Sequence, residues 1–249
     1  MTVELMDAVD AGDMAGIRRA LAGGADPDAE FGVLDDGNEI SHTVTALIVA
    51  VSSRKKMEQL RLLLDRGADV NKGNSMGVRP LMCSSNANVT RLLIQSGACV
   101  DQVDNEGMTA LMYSNGEACT RVLLEAGANP NARNGRSESA IMFAKDMGQL
   151  NALLEAGADA ACVADMGVTP LHIAAFMDYH RVIPFWAERY EVNVKDEQGR
   201  TPWDMADGNN AVNAKNVLFR LGAVPSLLEA LCAGQEWGGL LQAIREEET

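Results

Sequence analysis

A 30-residue period governs what this chain can fold into. The phrase Leu62-Leu63-Leu64-Asp65-Arg66-Gly67-Ala68-Asp69 returns as Leu92-Leu93-Ile94-Gln95-Ser96-Gly97-Ala98. It returns again as Leu123-Leu124-Glu125-Ala126-Gly127-Ala128-Asn129 and as Leu153-Leu154-Glu155-Ala156-Gly157-Ala158-Asp159, so that Gly67, Gly97, Gly127 and Gly157 stand 30 residues apart. A second phrase keeps the same register: Arg79-Pro80-Leu81, Thr109-Ala110-Leu111, Ser139-Ala140-Ile141 and Thr169-Pro170-Leu171. Two phrases in step over four copies mean one supersecondary unit used repeatedly. Such a unit cannot bury its apolar face alone, so neighbouring copies cover one another and no single deep core is needed.

Each part of the phrase has a physical reading. Thr109, or its equivalent, is a helix N-cap whose oxygen accepts from the first free amides. Pro170 and Pro202 stand at the next position, where a missing N–H costs nothing. Leu111, Met112 and Tyr113 open a short helix, and after a tight turn a second helix over 118–126 turns Val122 and Leu123 inward. Gly127 supplies a left-handed C-cap, and Asn129-Pro130-Asn131-Ala132 reads as a projecting turn, or finger, before the next cap. Hydrophobic residues make up 47% of the chain but aromatics only 4%. Ala and Leu must therefore fill most of the interior, which suits thin helical layers rather than a β-sandwich.

Thr169-Pro170-Leu171-His172-Ile173-Ala174-Ala175 and Gly67-Ala68-Asp69-Val70-Asn71 resemble the signature and loop phrases of the ankyrin repeat family, and the resemblance extends over roughly residues 3–224. It implies an all-α repeat solenoid, an ankyrin-type stack of helix-turn-helix units with projecting loops, forming a single domain over 1–249. It also implies binding of other proteins rather than catalysis, and for His172 a structural hydrogen bond to the adjacent loop. The expected repeats cover about 3–30, 40–71, 75–101, 105–131, 135–161, 165–193 and 197–224. An amphipathic stretch at 225–247, with Leu227, Leu228, Leu231, Leu240, Leu241 and Ile244, would cap the open end.

Departures from the pattern are where specificity is expected. The family period is about 33 residues, so the three middle repeats are short, and alignment from both ends puts the loss between the helices, at 84–89, 114–118 and 144–149. Their first helix or its turn must be truncated. The opposite change lies between repeats one and two. The matched interval is 17 residues from Asp28 to Thr45 but eight from Asn71 to Arg79, an insertion of nine. It carries Phe31, Val33, Leu34 and Ile40 among acidic residues, and reads either as a contact element or as a surface insertion tucked against the stack. Fingertip positions hold Met76 and Val78, Glu106 and Met108, Arg136 and Glu138, and Met166 and Val168. These form either an adaptable apolar stripe or side chains packed on neighbouring fingers. Trp186, beside Phe185, Tyr179 and Tyr190, is either an interface hot spot or core filling.

The candidate protein-binding residues are therefore Phe31, Leu34, Met76, Val78, Glu106, Met108, Arg136, Met166, Val168 and Trp186. A formal charge of −14 argues against nucleic acid and anionic membrane surfaces and favours a basic or mixed-charge protein or peptide partner. Five cysteines with no Cys-x-x-Cys pair read as reduced, mostly buried thiols. With no leader-like N-terminus and no long apolar run, the expected location is the cytosol or nucleus. No catalytic, cofactor or metal pattern connects the three histidines, and the recurring Asp101, Asp104, Asp165 and Asp196 read as turn formers. An adaptor or recognition subunit is the expected role. The alternative is a structural or inhibitory subunit that masks an enzyme or basic protein with the acidic insertion at 30–40.

Overall fold

Asp13 shows how each helix pair is set. Its carboxylate oxygen accepts from the Ala15 amide at 3.0 Å, capping α2 (Met14–Ala22) so that it turns back along α1 (Thr2–Ala11). The computed structural model describes residues 2–34, 40–52 and 57–224. The proposed cap at 225–247 lies outside the described residues, as do 35–39 of the insertion. The chain divides into two compact bodies, Met1–Gly135 and Arg136–Thr249.

In the first body, α1 and α2 are followed by two strands, β1 (Glu30–Leu34) and β2 (Ile40–Thr45), and then by α3 (Ala46–Ser52) and α4 (Met57–Asp65). A 3₁₀ turn, Pro80–Cys83, precedes α5 (Ala87–Gln95), and α6 (Ala110–Tyr113) precedes α7 (Glu117–Glu125). First helices stack in order: α1 on α3, α3 on the Pro80–Cys83 turn, and that turn on α6, while α5 lies on α7. Ile17, Leu47, Leu60, Leu63, Leu93, Leu111 and Leu123 fill the seams between layers.

In the second body, a 3₁₀ turn Ala140–Phe143 precedes α8 (Met147–Glu155). After it come α9 (Pro170–Phe176) with α10 (Ile183–Ala187), and α11 (Pro202–Gly208) with α12 (Val212–Arg220). The packing repeats here, with α9 between the Ala140–Phe143 turn and α11, and α10 against α12. The recurring glycines end the second helices as expected. Gly127 has φ of 90°, and the next amide, Ala128, returns to the Leu123 carbonyl at 3.0 Å, the bond that closes a left-handed C-cap.

The shortened repeats are short where the length argument puts them. The first helices of repeats three, four and five are single turns of four residues, against seven in α3, α9 and α11. In repeat three the turn is held by a buried hydroxyl pair, Ser84 Oγ and Thr90 Oγ1, 2.9 Å apart. Repeat four uses Ser114 Oγ and Thr120 Oγ1 at the same distance. Repeat five has buried Ala144 and Leu150 in the equivalent places, apolar contact doing what the hydroxyl pair does elsewhere.

Two expectations need correction. The fold is not purely helical: β1 and β2 pair antiparallel, with Phe31 opposite Val44 and Val33 opposite His42. The extra residues lengthen both arms of a finger that is already a turn, and the β-branched run Thr43-Val44-Thr45 suits the ladder. Thr45 still accepts from the Ile48 amide at 3.3 Å, so β2 runs directly into the cap of α3. Nor are most of the described thiols buried. Cys119 and Cys162 are, but Cys99 is exposed, because it follows the glycine cap of α5 rather than lying within a helix.

Candidate protein-contact surface

Three fingertips are each built on one side-chain anchor, whereas Ala164 stands at that place in the tip that carries Met166. Asn74 Oδ1 accepts from the Met76 and Val78 amides at 3.0 and 2.9 Å. Asp104 Oδ1 accepts from Glu106 and Met108, both at 2.9 Å, and Asp196 Oδ1 from Gln198 and Arg200, both at 2.9 Å. Burial pushes the Asp196 carboxyl up, and the bonds from the Arg200 backbone and guanidinium more than reverse this, leaving it below its ordinary value. The opposite effect reaches Tyr113, whose hydroxyl donates to Asp104 Oδ2 at 2.7 Å. Burial first, and then the carboxylate, raise its pKa.

Neighbouring tips are joined by main-chain bonds. In the first body the Asn105 amide donates to the Met76 carbonyl at 3.1 Å and the Gly135 amide to Glu106 at 2.8 Å. In the second, Asp165 donates to Arg136 at 3.0 Å and Glu197 to Met166 at 2.9 Å. Thr43 and Ser75 bring the hairpin into the same row, each amide donating to the other's hydroxyl at 3.0 and 2.9 Å. A ladder of this kind fixes the tips before any partner arrives, which lowers the ordering cost of binding.

Exposure divides the fingertip residues into outer and inner positions. The outer positions differ in chemistry: Met76 and Glu106 are exposed in the first body, Arg136 and Met166 in the second, both methionines to 47%. The inner positions, Val78, Met108, Glu138 and Val168, are half-buried, because the tight turn points residues two apart to opposite sides. Met108 is also tied down, its sulfur accepting from Asn134 Nδ2 at 3.1 Å. Phe31 is half-buried on the hairpin face it shares with Val33, His42 and Val44, while the Leu34 side chain lies outside the described residues. On the other hairpin face, Glu30 accepts from Thr43 Oγ1 at 2.7 Å and pairs with Lys72 at 3.1 Å. The Thr43 bond and then the Lys72 ammonium hold its carboxyl below the usual range.

Trp186 is withdrawn from the surface: it is 0% exposed, packed edge-on against Phe185 with centroids 4.8 Å apart. The short helix α10 needs one large side chain to reach the seam, so the indole serves as core. His172 is fully buried and structural. Its Nδ1 lies 3.2 Å from the Thr169 amide, which can only donate, so Nδ1 is unprotonated and Nε2–H donates to the Arg200 carbonyl at 3.0 Å. Burial lowers its pKa, in agreement with a neutral ring.

Sequence reasoning missed one patch. Phe176, Met177 and Val212 are exposed and held side by side, since Asn209 donates to the Phe176 carbonyl and Asn213 to Asp178, both at 2.6 Å. Phe176 closes the run Ile173-Ala174-Ala175, which reads as core, and nothing in the sequence marks its last turn as outward. Among the described residues no group of three or more His, Cys, Asp and Glu could hold a metal ion, and no helix is long and apolar enough to cross a membrane.

Paired helices, the second of each pair mostly glycine-capped, with fingers laddered within each body, define a helix-turn-helix repeat protein. Residues 47–134 match the family model of ankyrin repeats in three copies; ankyrin repeats are generally protein–protein interaction modules and typically non-catalytic. No curated protein matches the chain significantly.

Proposed function

We propose that the chain is a recognition or adaptor subunit that meets a protein or peptide partner with the exposed fingertip residues of each body. Met166 carries this reading. It holds a left-handed backbone, φ of 59°, which costs a non-glycine residue about 1–2 kcal/mol, and yet leaves a large apolar side chain 47% exposed. Folding gains nothing from that combination, whereas a flexible thioether on a rigid tip suits an interface. Met76 stands at the equivalent place in repeat three, beside Glu106, and Arg136 stands beside Met166. A partner of mixed charge with apolar anchors fits these residues better than a purely basic one, and the net charge of −14 argues against nucleic acid and anionic lipid. Reduced thiols are in keeping with the cytosol or nucleus.

The test is native affinity capture with photo-crosslinkers at 76 and 166, and at Arg91 on an outer helix as control. The combined Met76→Glu and Met166→Glu substitutions should lower capture about tenfold or more with an unchanged thermal melt. Undiminished capture, or crosslinks only at Arg91, would refute the fingertip surface.

A second reading has its own observation. The described arms, β1 and β2, pair antiparallel and carry Phe31, Val33 and Val44 on one face, a surface able to plug a groove on an enzyme or basic protein. Deleting 30–40 and raising salt would both weaken that complex. A complex indifferent to both leaves the fingertip reading alone.

A further inference from the structure

Two sets of methionines at repeat positions have opposite exposure. Met82, Met112 and Met142 recur every 30 residues on the first helices, and all three are buried, to 6%, 4% and 1%. Met76 and Met166 stand at equivalent fingertip positions, 90 residues apart, each 47% exposed. Met108, two residues inward on its own tip, is half-buried with its sulfur already accepting a hydrogen bond from Asn134.

We propose that Met76 and Met166 are sites of reversible oxidation by peroxide, which switches the polarity of the contact surface; the regulatory half of this rests on the fingertip reading above. The thioether lone pair attacks one oxygen of hydrogen peroxide. The O–O bond breaks, sulfur gives up two electrons to form the sulfoxide, and the second oxygen leaves as water after proton transfer. Thiol-dependent sulfoxide reductases reverse the step, the oxygen leaving as water while two thiols become a disulfide.

The backbone makes the change local. The Met76 amide is held by Asn74 and its carbonyl by Asn105, and the Met166 carbonyl by Glu197. None of these bonds involves sulfur, so a sulfoxide at either tip leaves the ladder intact. A sulfoxide at Met82, Met112 or Met142 would place a polar oxygen in a closed seam. The fold thus shields the set whose oxidation would unfold it and offers the set whose oxidation only changes the surface.

Site-resolved peptide mapping of the whole chain through a hydrogen peroxide series tests this, in a Met147→Leu/Met177→Leu background because those two side chains are also exposed. Met76 and Met166 should oxidise about tenfold faster than Met82, Met112 and Met142. The thermal melt should not move, and sulfoxide reductases A and B with a thiol should restore both residues. Equal rates, or a melt that falls as the tips oxidise, overturn the inference. Capture should drop after peroxide and survive it in Met76→Leu/Met166→Leu. Capture lost on substitution by Glu but kept after peroxide sinks the switch alone. Capture kept in both cases sinks the fingertip reading and the regulatory half with it, leaving the oxidation order as a separate result.

Discussion

His172 Nε2 lies 3.0 Å from the carbonyl oxygen of Arg200, one repeat ahead, while Nδ1 of the same ring takes the Thr169 amide of its own cap. One neutral imidazole therefore closes the N-terminus of α9 and holds the finger that leads into α11. A charged ring would lose the Thr169 bond, since both nitrogens would then be donors.

That arrangement makes stability depend on pH with a definite sign. Burial lowers the folded pKa of His172 below its ordinary value of 6.5. As pH falls through 6.5 the unfolded chain takes up a proton that the folded chain refuses, so the stabilisation is complete above that value and is lost on acidification toward the folded pKa. Urea melts at pH 7.5 and 5.5 should show the wild-type midpoint falling, by no more than about 1.4 kcal/mol per pH unit from this group. His172→Ala should be less stable at pH 7.5 by about 2 kcal/mol and should lose that part of the slope. An unchanged slope would show that the ring does not set it.

The hydroxyl pair in the shortened turn of repeat four can be exchanged for its apolar counterpart in repeat five. Ser114 and Thr120 touch at 2.9 Å, and the same places one repeat on hold buried Ala144 and Leu150. Ser114→Ala alone removes one bond of the Thr120 hydroxyl, which still donates to the Gly116 carbonyl at 3.1 Å, and should cost about 1 kcal/mol. Ser114→Ala with Thr120→Leu should recover much of that loss, with a coupling of about 1 kcal/mol in a double-mutant cycle. Strict additivity of the two changes would mean that the turns of repeats four and five are not equivalent.

The repeat was legible because its marks are local. A cap, a proline at the first helical position and a glycine at φ near 90° each leave one residue type at one place, and chain length alone located the truncated helices. The hairpin was harder to see, because Thr45 does two jobs, ending β2 and capping α3, and only the cap has a sequence signature. The exposure of the fingertip residues was open in the sequence for another reason. Whether Met76 or Val78 faces outward depends on the twist of a turn set by Asn74, and both are apolar. Trp186 and Phe176 show the same limit from either side, since a short α10 draws the indole inward and the last turn of α9 carries the phenyl ring out.

Two glycines with similar backbones should respond differently to a methyl group. Gly127 and Gly107 have φ of 90° and 80°. A Cβ on Gly127 meets nothing within 4 Å, whereas one on Gly107 falls 2.9 Å from the Gly135 nitrogen, whose proton goes to Glu106 in the finger ladder. Gly127→Ala should cost about 1 kcal/mol, the left-handed penalty alone. Gly107→Ala should cost about 2–3 kcal/mol, because the ladder bond is strained as well. Hydrogen exchange at the Gly135 amide separates the cases: it should quicken in Gly107→Ala and stay unchanged in Gly127→Ala.

Trp186 offers a test of the second body's interior. The indole is fully buried, yet its Nε1 has no hydrogen-bond partner among the described residues. Removing the whole ring leaves a large cavity, and Trp186→Ala should cost about 3–5 kcal/mol. Trp186→Phe leaves a smaller one and also removes the unpaired donor, whose desolvation costs about 1–3 kcal/mol. The two effects oppose each other, so the Phe variant should lie within about 1 kcal/mol of the wild type in urea melts, with the edge-on contact to Phe185 kept. A Phe variant as unstable as the Ala variant would mean that the indole N–H does find an acceptor, and that the polar side of this seam contributes more than its packing.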